Sequence, residues 1–339
     1  MLIAVLFLVL SLGLILLAAE GFTNGIELVG RRLSFSQAVV GSILAAVGTA
    51  LPETILPLVA IFSHGRAASK EIGVGAILGA PFMLSTIGFS LIGMTALIAS
   101  RRGGRLPEVR AEVSTLKRDL KFFLVMYAAA VFLPIMFGHA VAAPLAFLLV
   151  AGYIFYIFRT VGGVSADMEH ISGLHIIRFP AKMGWVNATG HHIGWAVVQI
   201  AAALGLMVFG AHIFVQNLSV LSLSFGMDPL LFALLVAPVA TELPEKFNSV
   251  TWMLKGKDTL AVGNMTGAMV FQSTFPVSVG LLFTPWKVEG MALVSAVLAL
   301  LSAVMVLGVV SCGRKIAPIV MMSAGFLYLI YALTVVFMK

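Results

Sequence analysis

The sequence predicts an all-α polytopic membrane protein, with about ten transmembrane helices in two inverted-topology five-helix repeats. Three observations predict it. Of 339 residues, 60% are hydrophobic and only 10% are charged, with a mean hydropathy of +1.09; a soluble domain carries about 25% charged residues. Apolar runs long enough to span a bilayer recur along the whole chain. The phrases "GTALPE" (48–53) and "ATELPE" (240–245) stand 192 positions apart, inside two of those runs.

The first run, 2–29, lacks the basic leading region of a signal peptide and reads as a retained span. Runs at 34–61, 73–98, 121–137 and 140–158 follow it. The tight turn expected at Gly138–His139, in "MFGHA", separates the last two. The polar stretch 159–192 then divides the chain almost in half. Runs at 193–218, 227–254, 259–284, 288–311 and 316–338 complete the set. Residues 1–158 are therefore expected to form one five-helix repeat, 159–192 a cytoplasmic linker, and 193–339 the second repeat.

The charges set the orientation. The formal net charge is +7. Of the 20 Lys and Arg residues outside spans, 16 fall in alternate loops that share one side; Lys246 lies inside a span. By the positive-inside rule that side is cytoplasmic, so both termini are expected outside the cytoplasm, with the plasma (inner) membrane as the setting. The same bias accounts for the basic balance and leaves a nucleic-acid role without support. The "NAT" sequon at 187–189 falls on the cytoplasmic side. A single cysteine, Cys312, excludes an intrachain disulfide and argues against thiolate metal chemistry.

With an offset of 192, residues 17–53 lie over 209–245 without a gap, bringing Thr49, Leu51, Pro52 and Glu53 over Thr241, Leu243, Pro244 and Glu245. Past four extra residues in the first copy, "VGAILGAPFML" (74–84) lies over "VGNMTGAMVFQ" (262–272). Each half holds five spans, an odd number, so the copies enter the membrane in opposite directions. This is the inverted repeat of many secondary transporters, whose site lies near the midplane where interrupted helices meet.

Pro52 removes the N–H that would serve the carbonyl of Gly48, and Pro244 does the same to Ala240. A carbonyl left open in hydrocarbon needs a partner, and a cation is one. Thr49 and Thr241 add hydroxyls, and Glu53 and Glu245 add carboxylates one residue past each proline. A charge at the bilayer centre costs roughly 2.5–3.5 kcal/mol by insertion scales, and such residues mark ion pathways. Carboxylate, carbonyl and hydroxyl are hard oxygen ligands that suit Ca²⁺ or Na⁺. The alternative is a pair of kinked helices whose glutamates sit protonated in a polar seam.

These residues resemble the α-repeats of the sodium/calcium exchanger family, in the calcium:cation antiporter superfamily. The motif of that family runs G-[ST]-[ST]-x-P-E, then G-N-x-x-G-[SA]-N and an Asn or Asp three residues on. Thr49, Pro52, Glu53, Thr241, Pro244, Glu245 and Asn264 match it. Ala50 and Glu242 replace the second Ser or Thr; Ala76, Pro81 and Leu84 in the first copy, and Met269 and Gln272 in the second, replace other polar positions. The resemblance implies two inverted five-helix halves, motif glutamates that bind Ca²⁺ or Na⁺, and exposure of the site to each side in turn. The ion set it points to is Glu53, Glu245, Thr49, Thr241, the carbonyls of Gly48 and Ala240, Glu242, Asn264 and Gln272, within motif regions 48–84 and 240–272.

Other polar residues admit two readings. Glu242 and Lys246 are at i,i+4 with the acid first, the favoured order for a helical ion pair. Either they neutralise each other on the helix surface, or the ammonium takes a place that Na⁺ would otherwise fill. Glu20 and His212 are equivalent under the offset and either form a proton relay or face a vestibule. His170, His175, His191 and His192 read as solvated linker residues. The expected function is secondary active antiport of Ca²⁺ against Na⁺ by alternating access, not enzyme chemistry. No cofactor is expected, and the partners are inorganic cations and the lipid bilayer. H⁺ as driving ion is the nearest alternative, and a non-transporting degenerate repeat acting as scaffold or sensor is the other.

Overall fold

The computed structural model describes residues 1–32, 45–62, 67–102, 108–161, 193–312 and 316–337. These are helical almost throughout, as backbone in hydrocarbon must be when its polar groups have only each other as partners. In chain order the elements are α1 (Leu2–Arg32), α2 (Ala45–Phe62), α3 (Ala67–Met83), a π-helical turn (Leu84–Gly88), α4 (Phe89–Arg102), α5 (Val113–Phe137), α6 (Ala142–Val161) and α7 (Ile193–Ser224). The second half continues with α8 (Pro229–Leu254), α9 (Asp258–Gln272), α10 (Phe275–Phe283), α11 (Gly290–Ser311) and α12 (Pro318–Phe337). A single backbone bridge joins Val109 to Ile316.

Among the described residues, eight helical stretches are long and apolar enough to cross a membrane, so eight of the ten expected spans reach that length. The two shorter apolar helices are Ala50–Phe62 and Pro229–Glu242, the segments that carry the motifs. The full helices that hold them run Ala45–Phe62 and Pro229–Leu254. α3, the π turn and α4 form one crossing, as do α9 and α10. Both crossings change course at equivalent places. The π turn begins at Leu84, and α9 ends at Gln272, the residue aligned with it. Pro276 explains the second break, because it has no N–H to return to the Gln272 carbonyl.

Several boundaries differ from expectation, among them the third span, which runs from Ala67 to Arg102 rather than 73–98. α5 starts at Val113 rather than 121, because its polar first turns pair with neighbours instead of forming a loop. α7 runs to Ser224 rather than 218, and α1 to Arg32 rather than 29. The turn at Gly138 is present, with φ of 71° there and a 3₁₀ turn at His139–Val141. Most of the 159–192 linker, with its four histidines and the sequon, lies outside the described residues.

Two buried apolar clusters organise the helices. One gathers α1, α2 and α7 with one face of α3 and α8. The other gathers α4–α6 and α9–α12 with the opposite faces of α3 and α8. α1 lies along α7, and α8 lies along α3. The second contact is close because α3 offers glycine. A Cβ on Gly75 or Gly79 would lie 2.2 Å from the carbonyl oxygen of Leu230 or Leu234, which no side chain tolerates. Pro238 cannot donate to the Leu234 carbonyl, so the oxygen meeting Gly79 is one that the ladder of its own helix leaves open. α2, α3 and α8 thus meet at the seam between the two clusters.

Candidate ion-binding site

A small void lies at that seam, with room for about one water-sized sphere. Glu53 enters it from α2, Thr241 and Glu242 from α8, and Ala76 and Ala80 from α3. Glu53 follows Pro52 and precedes Pro57 within one buried stretch and is 7% exposed. Its carboxylate accepts a hydrogen bond of 2.6 Å from Gln272 Nε2. Gln272 can reach it because α9 stops there and frees the side chain from a helical row. The other amide atom of Gln272, an oxygen, is a neutral ligand of the kind Ca²⁺ accepts.

On α8, the Thr241 hydroxyl donates to the Ala237 carbonyl at 3.1 Å, which leaves its lone pairs for the void. Glu242 is fully buried, and the Lys246 ammonium lies 3.6 Å from its carboxylate with only 1% of the side chain exposed. α8 runs unbroken through Pro244, so the i,i+4 register holds. The pair expected on the helix surface forms, but it is buried beside the void. One turn on, Ser249 donates to Asn264 at 3.0 Å and ties α8 to α9.

The structure therefore brings Glu53, Thr241 and Glu242 together and attaches Gln272 through Glu53. Asn264 is engaged by Ser249 and does not line the void, and Ala240 lies on α8 without lining it. Gly48 and Thr49 belong to α2 and Glu245 to α8; the side chains at these positions lie outside the described residues. Glu20 and His212 are exposed, and neither lines the void. The His212 ring instead lies 2.7 Å from Gln216 Nε2.

Two features escaped the sequence reading. Pro238 lines the void; its signal was the first of the two prolines in "APVATELPE". Asp119 on α5 is buried and accepts from the Thr266 hydroxyl of α9 at 2.7 Å and from Arg118 Nη2 at 3.0 Å. The Arg118 guanidinium in turn lies 5.5 Å from the centre of the Tyr156 ring on α6. Acid and base side by side read as loop punctuation until the partners from α9 and α6 are known.

Comparison with known proteins gives the family of the chain. The family profile described as "Sodium/calcium exchanger protein" matches residues 3–162 and 195–339. The chain belongs to the sodium/calcium exchanger protein family. It is 25% identical over 343 residues to the putative antiporter CaxA of Alkalimonas amylolytica, covering 98% of this chain and 100% of that protein. Among solved structures it resembles the H⁺/Ca²⁺ exchanger CAX, with a TM-score of 0.71 and 18% identity over 99% of this chain and 84% of that one. It also resembles the sodium-calcium exchanger NCX_Mj, with a TM-score of 0.57 and 20% identity over 98% of each chain. At those identities the two structures show a common fold. Family membership makes the chain a secondary transporter of cations, a multi-pass membrane protein rather than an enzyme.

Proposed function

We propose that this protein is a secondary active antiporter that moves Ca²⁺ against Na⁺ by alternating access at the seam of α2, α3 and α8. The observation that carries the reading is the convergence of Glu53 and Glu242, from opposite halves of the chain, on one buried void. Two carboxylates, the Thr241 hydroxyl and the Gln272 amide supply hard oxygen near the void. Glu245, Thr49 and the carbonyls of Gly48 and Ala240 complete the set in this reading. Two five-helix repeats of opposite topology, joined by the 159–192 linker, let the site face each side in turn.

One observation favours H⁺ as the counter-ion instead. The α3 wall of the void is Ala76 and Ala80, which offer no side-chain oxygen to a set of Na⁺ ions. CAX and NCX_Mj carry names that between them include both couplings, so the shared fold does not choose. Purified protein in proteoliposomes decides: Ca²⁺ uptake driven by an outward Na⁺ gradient supports the first reading, and uptake driven only by a pH gradient supports the second. No flux under either gradient defeats both and leaves the scaffold or sensor.

A further inference from the structure

The two copies of the motif differ by an acid–base pair. Ala50 and Thr54 of α2 align with Glu242 and Lys246 of α8. In α2 the Thr54 hydroxyl closes on the Ala50 carbonyl at 2.8 Å, one turn back, with no formal charge. In α8 the same step is made by an ammonium 3.6 Å from a carboxylate, with both groups buried. Buried pairs of this kind seldom stabilise a fold over apolar residues of similar volume, and ionisable groups inside a membrane are rare without a use. Glu242 lines the void with Glu53, so the ammonium stands one carboxylate away from the place where a cation would sit.

We infer that Lys246 is a tethered cation of the transport site, a specificity-determining residue that sets how many positive charges the site takes up from solution. The inference rests on the antiport reading above. The carboxylates create a negative charge that the moving ions must offset, since a net charge is expensive to carry through a low-dielectric interior. A lysine held beside Glu242 offsets one unit permanently and cannot leave. The site therefore loads one positive charge fewer than the same carboxylates would alone. This gives the pair a role that ion pairing on a helix surface does not. It also accounts for the amine one turn away from the additional carboxylate at 242: together the two leave the net charge of the site as it is in a copy that has neither.

The test counts charges in proteoliposomes. The concentration dependence of the driving monovalent ion is measured as a Hill coefficient during divalent uptake. Lys246→Met uncovers one negative charge and should raise the coefficient by about one. Glu242→Gln leaves the ammonium unbalanced and should lower it by about one. The double variant Glu242→Gln with Lys246→Met should return to the wild-type value, as should Lys246→Arg. If Lys246→Met fails to insert, Glu242→Gln and the double variant still decide: an unchanged coefficient in Glu242→Gln, or a double variant that differs from wild type, overturns the tethered cation. A merely structural pair would change stability and rate in these variants and leave the coefficient where it is. Wild-type protein that moves no divalent cation against any monovalent ion would instead sink the antiport reading itself.

Discussion

The first motif copy is poor in ligands and the second is rich. Leu84 stands where the second copy has Gln272, Ala50 where it has Glu242, and Thr54 where it has Lys246. The packing is uneven in the same way. Gly75 and Gly79 of α3 press against carbonyls of α8, whereas a Cβ on the aligned Gly263 of α9 would meet nothing within 4 Å and one on Gly267 only the Tyr156 hydroxyl at 3.8 Å. The first copy thus supplies one acid and a smooth, glycine-lined surface. The second supplies most of the polar chemistry and is docked on that surface. An inverted repeat can divide its labour and still build one site, because the site needs the sum of its ligands and not their symmetry.

The largest effect should come from the acid of the poor half. Glu53→Gln is expected to reduce flux in proteoliposomes by more than about 100-fold, beyond the roughly 3 kcal/mol of a charge-assisted contact, while the protein stays folded, because a neutral amide is easier to bury than a carboxylate. Glu245→Gln should do the same. Near-normal flux in either variant would remove that glutamate from the site.

Making the rich half resemble the poor one comes next. Gln272→Leu copies Leu84 and strips Glu53 of its 2.6 Å amide contact. A hydrogen bond to a charged group is worth about 1.5–3 kcal/mol, so the apparent Ca²⁺ affinity should fall about tenfold or more. Unchanged affinity would show that the Gln272 contact does not matter to binding.

The glycine contrast predicts a difference in stability. Gly79→Ala places a methyl against the Leu234 carbonyl and should cost about 1–3 kcal/mol, read as a lower Tm in detergent. Gly267→Ala should be close to neutral or slightly stabilising through its helix propensity. Equal effects at the two positions would mean that the α3–α8 contact is no closer than its aligned counterpart.

The smallest signal is an absence. In a Cys312→Ser background, Thr115→Cys and His170→Cys should stay unlabelled by an impermeant thiol reagent in intact cells, as the positive-inside orientation requires. Strong labelling at either position would invert the orientation.

Much of the fold was legible from the sequence because hydrocarbon imposes one rule on every span: long, apolar and helical. The site was half legible. Thr-x-x-Pro-Glu drew notice because proline and charge are expensive in a membrane, so Glu53, Thr241 and Glu242 were found. Ala76 reads from the sequence only as a replaced polar position and Ala80 does not stand out at all, since their role as a wall depends on which face of α3 meets α8. Asp119 was missed because its partner Thr266 is 147 positions away. Asn264 was named for its place in the motif, yet its partner on α8 is Ser249. Motif spacing reports identity along the chain, while a ligand set is decided by what several helices bring to one place.

The polar content of α8 also bears on how the protein is made. Glu242 and Lys246 are both buried within its 26 residues, and an ionisable group at the bilayer centre costs roughly 2.5–3.5 kcal/mol by insertion scales. Glu245 stands between them in the same helix. Such a segment has little reason to leave the translocation machinery alone. Its docking face on α3 is synthesised more than a hundred residues earlier, so a partner is already in the bilayer when α8 emerges. The glycines that let the two helices touch therefore serve biogenesis before they serve transport: they receive a helix too polar to settle in lipid unaided.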